Sequence, residues 1–192
     1  MWRGLILTGL LAVAPPGFAQ DSGVADPSRS VLSTLPQATA KRLRQAPERM
    51  QAETLALIHG YGTNGSIGAE ELERFIALER AAIRARTLRP LLEADLDNDG
   101  SVSGDEVRAL AATLSAEARG RLMLAHAAAD EGRDGTADAG ELRSHAASEA
   151  QEKLSEADAA ALRVILAFDL DGDGRTDLAE VGRIMAQLMQ DA

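Results

Sequence analysis

Cysteine is missing from all 192 residues. The chain therefore has no disulfide, no thiolate zinc site, no cysteine nucleophile and no cysteine to carry a lipid. Aromatic residues are scarce at 3%. Positive charge is in deficit: 20 Lys and Arg stand against 30 Asp and Glu, a formal charge of -10, which repels nucleic acid and anionic lipid and favours cations. A long apolar run is lacking too, since Leu5 to Ala14 falls well short of the roughly 20 residues that cross a bilayer, so the mature chain is expected to have no transmembrane segment. The only histidines are His59, His126 and His145. His126 and His145 flank one loop, which leaves a transition-metal site open, but without Cys or an H-x-x-x-H pair they read as helix histidines. No Ser/His/Asp grouping, Gly-rich phosphate loop or catalytic carboxylate pair stands out, so no enzyme site is expected.

What the chain has is helix-forming composition, rich in Ala, Leu, Glu and Arg. Residues 1–19 read as an export signal: Arg3 supplies charge, Leu5 to Ala14 the apolar region, and Gly17-Phe18-Ala19 a cleavage site, predicting a periplasmic or secreted protein that starts at Gln20. Residues 20–33 are polar with Gly and Pro and predict a flexible leader. A helix is expected from about Pro36, with Pro47 interrupting it or opening another. Lys41, Arg42, Arg44 and Arg49, like the later run Arg80, Arg84, Arg86 and Arg89, read as solvated helix faces rather than docking surfaces.

Two acidic stretches dominate what remains. Asp95 to Glu106 reads DLDNDGSVSGDE and Asp169 to Glu180 reads DLDGDGRTDLAE. Each has acids at loop positions 1, 3 and 5, Gly at 6 and Glu at 12. A hard divalent cation takes six to eight oxygens, and this spacing supplies them from one short loop. In the first, the donors are Asp95, Asp97 and Asp99, the Ser101 carbonyl, Ser103 through water, and Glu106 through both oxygens. In the second they are Asp169, Asp171, Asp173, the Arg175 carbonyl, Asp177 and Glu180. Gly100 and Gly174 turn the chain.

The two loops also act as rulers for a repeat. Residues 60–71, GYGTNGSIGAEE, keep Asn64, Gly65, Ile67 and Glu71 but place Gly60 and Gly62 at positions 1 and 3; residues 130–141, DEGRDGTADAGE, keep Asp130, Asp134, Gly135, Asp138 and Glu141 but have Gly132 at position 3. The later loop is a weaker metal candidate through Asp130, Asp134, Thr136, Asp138 and Glu141. The earlier one is expected to stay empty. Apolar residues at helical spacing flank each loop, best formed at Leu162, Val164, Ile165 and Phe168 before the last loop and Val181, Ile184, Met185 and Leu188 after it. Ser115 and Ser155 read as helix caps.

These loops, with their flanks, resemble the EF-hand calcium-binding superfamily. The resemblance implies an all-α fold of four helix-loop-helix hands, two of them degenerate, arranged in two lobes. It implies hand pairs at 47–117 and 118–192, behind residues 20–46 as leader and N-terminal helix. Short antiparallel bridges at loop position 8 are then expected between Ile67 and Val102 and between Ala137 and Thr176. It further implies two calcium ions, with calcium mainly ordering a protein-interaction domain; a calcium sensor and a calcium buffer are the alternatives. Any groove for a protein partner is expected in the C-terminal lobe, around Phe168, Ile184, Met185 and Leu188.

Overall fold

The computed structural model describes residues 27–190. The export signal expected at residues 1–19 and the first residues of the expected leader lie outside them. The chain is all-α, with only short strand pairs. Helices α1 (Pro27–Thr34), α2 (Gln37–Gln45) and α3 (Pro47–Tyr61) precede strand β1 (Ser66–Gly68), and α4 (Ala69–Leu92) leads to β2 (Val102–Ser103) and α5 (Gly104–Ala111). Then come α6 (Ala116–Ala129), β3 (Thr136–Ala137), α7 (Ala139–Lys153), α8 (Glu156–Arg163), a 3-10 segment at Val164–Phe168, β4 (Arg175–Asp177) and α9 (Leu178–Gln190). Among the described residues no helix is long and apolar enough to cross a membrane.

Local chemistry places the breaks. Pro47 opens α3, where its fixed φ fits and its missing N–H costs nothing. The hydroxyls of Ser115 and Ser155 accept from the backbone N–H of Ala118 and Asp158 and cap α6 and α8. Position 9 of the second and third loops begins a helix in the same way: Ser103 and Asp138 cap α5 and α7, and the closing Glu106 and Glu141 reach back to them as capping boxes. One glutamate thus closes a loop and starts a helix.

The bridges differ from those expected. Ile67 faces Thr176 in the β1–β4 pair, and Val102 faces Ala137 in the β2–β3 pair. The Ile67–Val102 and Ala137–Thr176 bridges do not form. The cause is α4, whose 24 residues run unbroken between the first two loops. At 1.5 Å per residue it holds those loops about 36 Å apart, at its opposite ends. Between Ala111 and Ala116 the chain instead turns, so α5 and α6 fold against each other and bring the second and third loops together. Helix α7 then runs back along α4, and α8 follows it, delivering the fourth loop to the first. The pairing is nested, with the inner hands inside the outer ones.

Two cores follow from this arrangement. The outer pair buries Ile58, Ile67, Leu72 and Ile76 with Phe168, Val181, Ile184 and Met185, and Leu35 and Leu43 join them from the segments around α2. The inner pair buries Leu91, Val102, Val107, Leu122 and Leu142 among small alanines. A flexible leader reaching Ser33 is corrected here, because α1 is helical and Val31 and Leu32 pack against the outer core. Leu43 is wholly buried, a contribution of about 1.5–3 kcal/mol for a leucine. The helix that Ser155 caps ends at Arg163, and the chain tightens into the 3-10 segment that carries Val164, Ile165 and Phe168.

Thr176 stands at position 8, where the other three loops have Ile67, Val102 and Ala137. Buried, its hydroxyl donates to the Ile165 carbonyl at 2.8 Å, which removes the cost of an unsatisfied polar group in the core. Arg80 is likewise drawn into the fold, donating to the Leu154 carbonyl and pairing with Glu156 across the α7–α8 turn.

Candidate metal centres

The turn geometry of the acidic loops is set by left-handed residues. Positions 4 and 6 have positive φ in three of them: Asn98 and Gly100, Arg133 and Gly135, Gly172 and Gly174. This curls the backbone so that the position 1 carboxylate accepts its own loop's N–H groups. Asp95 takes those of Asp99 and Gly100, each at 3.1 Å; Asp130 takes Asp134 and Gly135; Asp169 takes Gly172 at 2.7 Å and Gly174 at 2.8 Å. Residues 60–71 depart from this pattern. There Asn64 and Gly65 are the left-handed pair, and Thr63 and Ser66 exchange backbone hydrogen bonds at 2.9 and 3.2 Å. That is a tight Asn-Gly hairpin turn, in which Asn64 serves the turn rather than a metal.

In the loop 95–106, carboxylate oxygens of Asp95, Asp97 and Asp99 gather within 4.8 Å of one another. The Ser101 hydroxyl and backbone N–H on Asp99 hold that carboxyl below its usual range. Glu106 is not part of that gathering. Its oxygens accept from Leu96 at 2.9 Å and from the backbone and hydroxyl of Ser103 at 2.8 and 2.7 Å. The Ser103 bonds, then Leu96, lower its carboxyl to about 2, so it stays an anion. The Ser101 carbonyl belongs to the turn leading into β2.

In the loop 169–180 the gathered group is Asp169, Asp171 and Glu180, again within 4.8 Å. Asp173 stands outside it and accepts from the Arg175 backbone at 2.8 Å. Asp177 accepts from the Glu180 N–H. Glu180 itself is only 2% exposed. Its carboxylate accepts from Leu170 and Asp177 N–H groups, and among the described residues no Lys or Arg pairs with it. A buried carboxylate beside two others, satisfied by amides but not by a cation, is an arrangement that a bound cation stabilises. All donors in both clusters are hard oxygens. They fit a calcium-like ion and not a soft metal.

The loop 130–141 keeps the same scaffold but not the cluster. Asp134 accepts from the Thr136 N–H, Asp138 from Gly140 and Glu141, and Glu141 from Gly132 at 2.7 Å. With Gly132 at position 3, its acids do not form a gathered group among the described residues. Of the histidines, buried His126 serves the fold, sharing a 2.8 Å hydrogen bond through Nε2 with the Val102 carbonyl.

Residues 90–111 match the family model for the EF hand. This stretch spans the end of α4, the three-aspartate loop and α5, so match and geometry together support an EF-hand relationship and calcium binding there. No curated protein matches the chain, and no solved structure does.

One contact lay beyond sequence reasoning. Arg175, noted only for its carbonyl, sends its side chain across the β1–β4 bridge to Glu71.

Proposed function

We propose that the protein is an exported calcium-binding protein with two sites, in the loops 95–106 and 169–180, and that the ions chiefly order the fold of an interaction domain. The observation that carries this is the pair of carboxylate clusters, Asp95 with Asp97 and Asp99, and Asp169 with Asp171 and Glu180. Asp95, Asp97, Asp99, the Ser101 carbonyl, Ser103 and Glu106 would hold one ion. Asp169, Asp171, Asp173, the Arg175 carbonyl, Asp177 and Glu180 would hold the other. The loop 130–141, short of one acid, is the weaker candidate. Export rests on the residues of the N-terminal signal alone.

An ordering role is supported by the outer core. Phe168, Ile184, Met185 and Leu188 are at most 8% exposed and pack with Leu35 and Leu43 in the outer core. A ligand that binds only the folded state stabilises it by about 2.7 kcal/mol per site at a hundredfold excess over its Kd. Calorimetry on the mature protein is expected to count two calcium sites, one lost in Glu106→Gln and the other in Glu180→Gln. Calcium should raise the melting temperature with little change in binding of an apolar dye. Four tight sites, or none, would refute the site assignment; steep dye binding at micromolar calcium would make the protein a sensor instead.

A further inference from the structure

We propose that Arg175 is a positioning residue for calcium: its guanidinium serves the first loop as a built-in cation and thereby fixes the backbone of the loop 169–180. This rests on the assignment of a calcium site to that loop. Three loops tie their closing glutamate in one way. One oxygen accepts from the position 9 N–H and the other from position 2 or 3: Glu106 from Ser103 and Leu96, Glu141 from Asp138 and Gly132, Glu180 from Asp177 and Leu170. In the first loop, Glu71 keeps the position 9 bond, to Gly68 at 3.2 Å. The hairpin turn has withdrawn the other amides. In their place Glu71 Oε1 accepts from Arg175 Nη2 at 2.9 Å, its shorter contact, and from the Thr63 hydroxyl at 3.3 Å.

The same side chain is held at further points of that loop. Nε donates to the Ser66 hydroxyl at 2.8 Å and Nη2 to the Ser66 carbonyl at 3.1 Å. Arg175 faces Gly68 across the bridge, and a Cβ on Gly68 would come within 3.1 Å of Nη1, so the glycine leaves the guanidinium its path. On its own loop the Arg175 N–H is accepted by Asp173, and its carbonyl is the position 7 oxygen offered to the ion. One residue therefore joins the donor set of the fourth loop to a fixed anchor in the first. An arginine fork suits this task because it orients as well as neutralises a carboxylate. The inner pair supplies the control. Its position 7 residues are Ser101 and Thr136, too short to reach the opposite loop's closing glutamate, and Gly104 N–H to Gly135 carbonyl at 2.8 Å links its loops instead.

The test titrates the full mature protein with calcium and follows the amides of Gly100 and Gly174, one in each loop, by NMR. Arg175→Ala is expected to weaken the Gly174 site by about 10-fold or more, the usual effect of losing a group that orients a metal ligand, and to leave Gly100 unchanged. Arg175→Lys keeps charge without the fork and should fall between. Glu71→Gln should weaken the same site, and the double variant should lose no more than Arg175→Ala alone, because both act through one contact. If Arg175→Ala does not fold, Glu71→Gln gives the same reading. Wild-type affinity at Gly174 in these variants overturns the proposal, as does an equal loss at both glycines, which would make Arg175 a general structural residue. Absence of a saturable Gly174 response in the unsubstituted protein would instead defeat the underlying site assignment.

Discussion

Arg163 grips Glu73 with two parallel hydrogen bonds, Nε to Oε1 at 2.5 Å and Nη2 to Oε2 at 3.0 Å. The first residue ends α8 and the second lies in the first turns of α4, so the fork ties the entry to the fourth loop onto the exit from the first. Glu156 joins them, paired to both Arg163 and Arg80. The network links elements far apart in sequence that no covalent bridge secures.

This network sets an acid dependence. The Arg163 guanidinium holds the Glu73 carboxyl below its ordinary 4.5, and Arg163 with Arg80 does the same to Glu156. Because these values are lower in the folded than in the unfolded chain, their stabilisation is present above 4.5 and is lost as pH falls through the folded values. In chelator, urea midpoints of the wild type are expected to fall on acidification. Arg163→Gln should lower the midpoint at neutral pH and flatten the acid slope; an unchanged slope would exclude the network as a source. Partial exposure and salt screening keep the effect modest.

Glycine substitutions should separate the collapsed first loop from its flank. A Cβ on Gly62 would lie 2.4 Å from the Ser66 carbonyl oxygen and 2.5 Å from that of Ile58, and backbone cannot yield as a side chain does. Gly62→Ala is expected to destabilise by about 1–3 kcal/mol. Two residues earlier, a Cβ on Gly60 meets nothing, and Gly60 lies within α3. Gly60→Ala should therefore be neutral or add about 0.5–1 kcal/mol. Equal costs in denaturant titrations would show that the hairpin turn does not form.

The nested bridges are open to a direct check. Cross-strand nuclear Overhauser contacts are expected between Ile67 and Thr176 and between Val102 and Ala137, the facing pairs. Contacts from Ile67 to Val102 would restore sequential pairing and contradict the continuous α4.

What could be read from the sequence divides by range. The acidic loops were legible because their chemistry sits within twelve consecutive residues, and Pro47, Ser115 and Ser155 mark helix starts by local hydrogen bonding. Partner choice was not legible from the loops. It depends on whether the connecting segment is broken, and residues 72–94 carry no glycine and no capping Ser, Asp or Asn, while residues 112–115 end in Ser115. Pro90 falls inside α4 without ending it. Without the pairing, no local signal joined Glu71 to an arginine 104 residues later. The leader misled because its helical part, residues 27–33, has only Val31 and Leu32 as apolar residues, and two adjacent positions do not register as an amphipathic face.

Nesting also gives the chain an order of assembly. The inner hands lie close in sequence and turn back at residues 112–115, so their pair closes a short loop and can form while the C-terminal region is still absent. The outer hands must close nearly the whole chain, and contacts of long sequence separation form slowly. Until α9 arrives, Ile58, Ile67 and Leu72 have no fourth hand to cover them. An emerging or truncated chain would thus present half of a hydrophobic core, making the last thirteen helical residues, Leu178–Gln190, the segment on which freedom from aggregation depends.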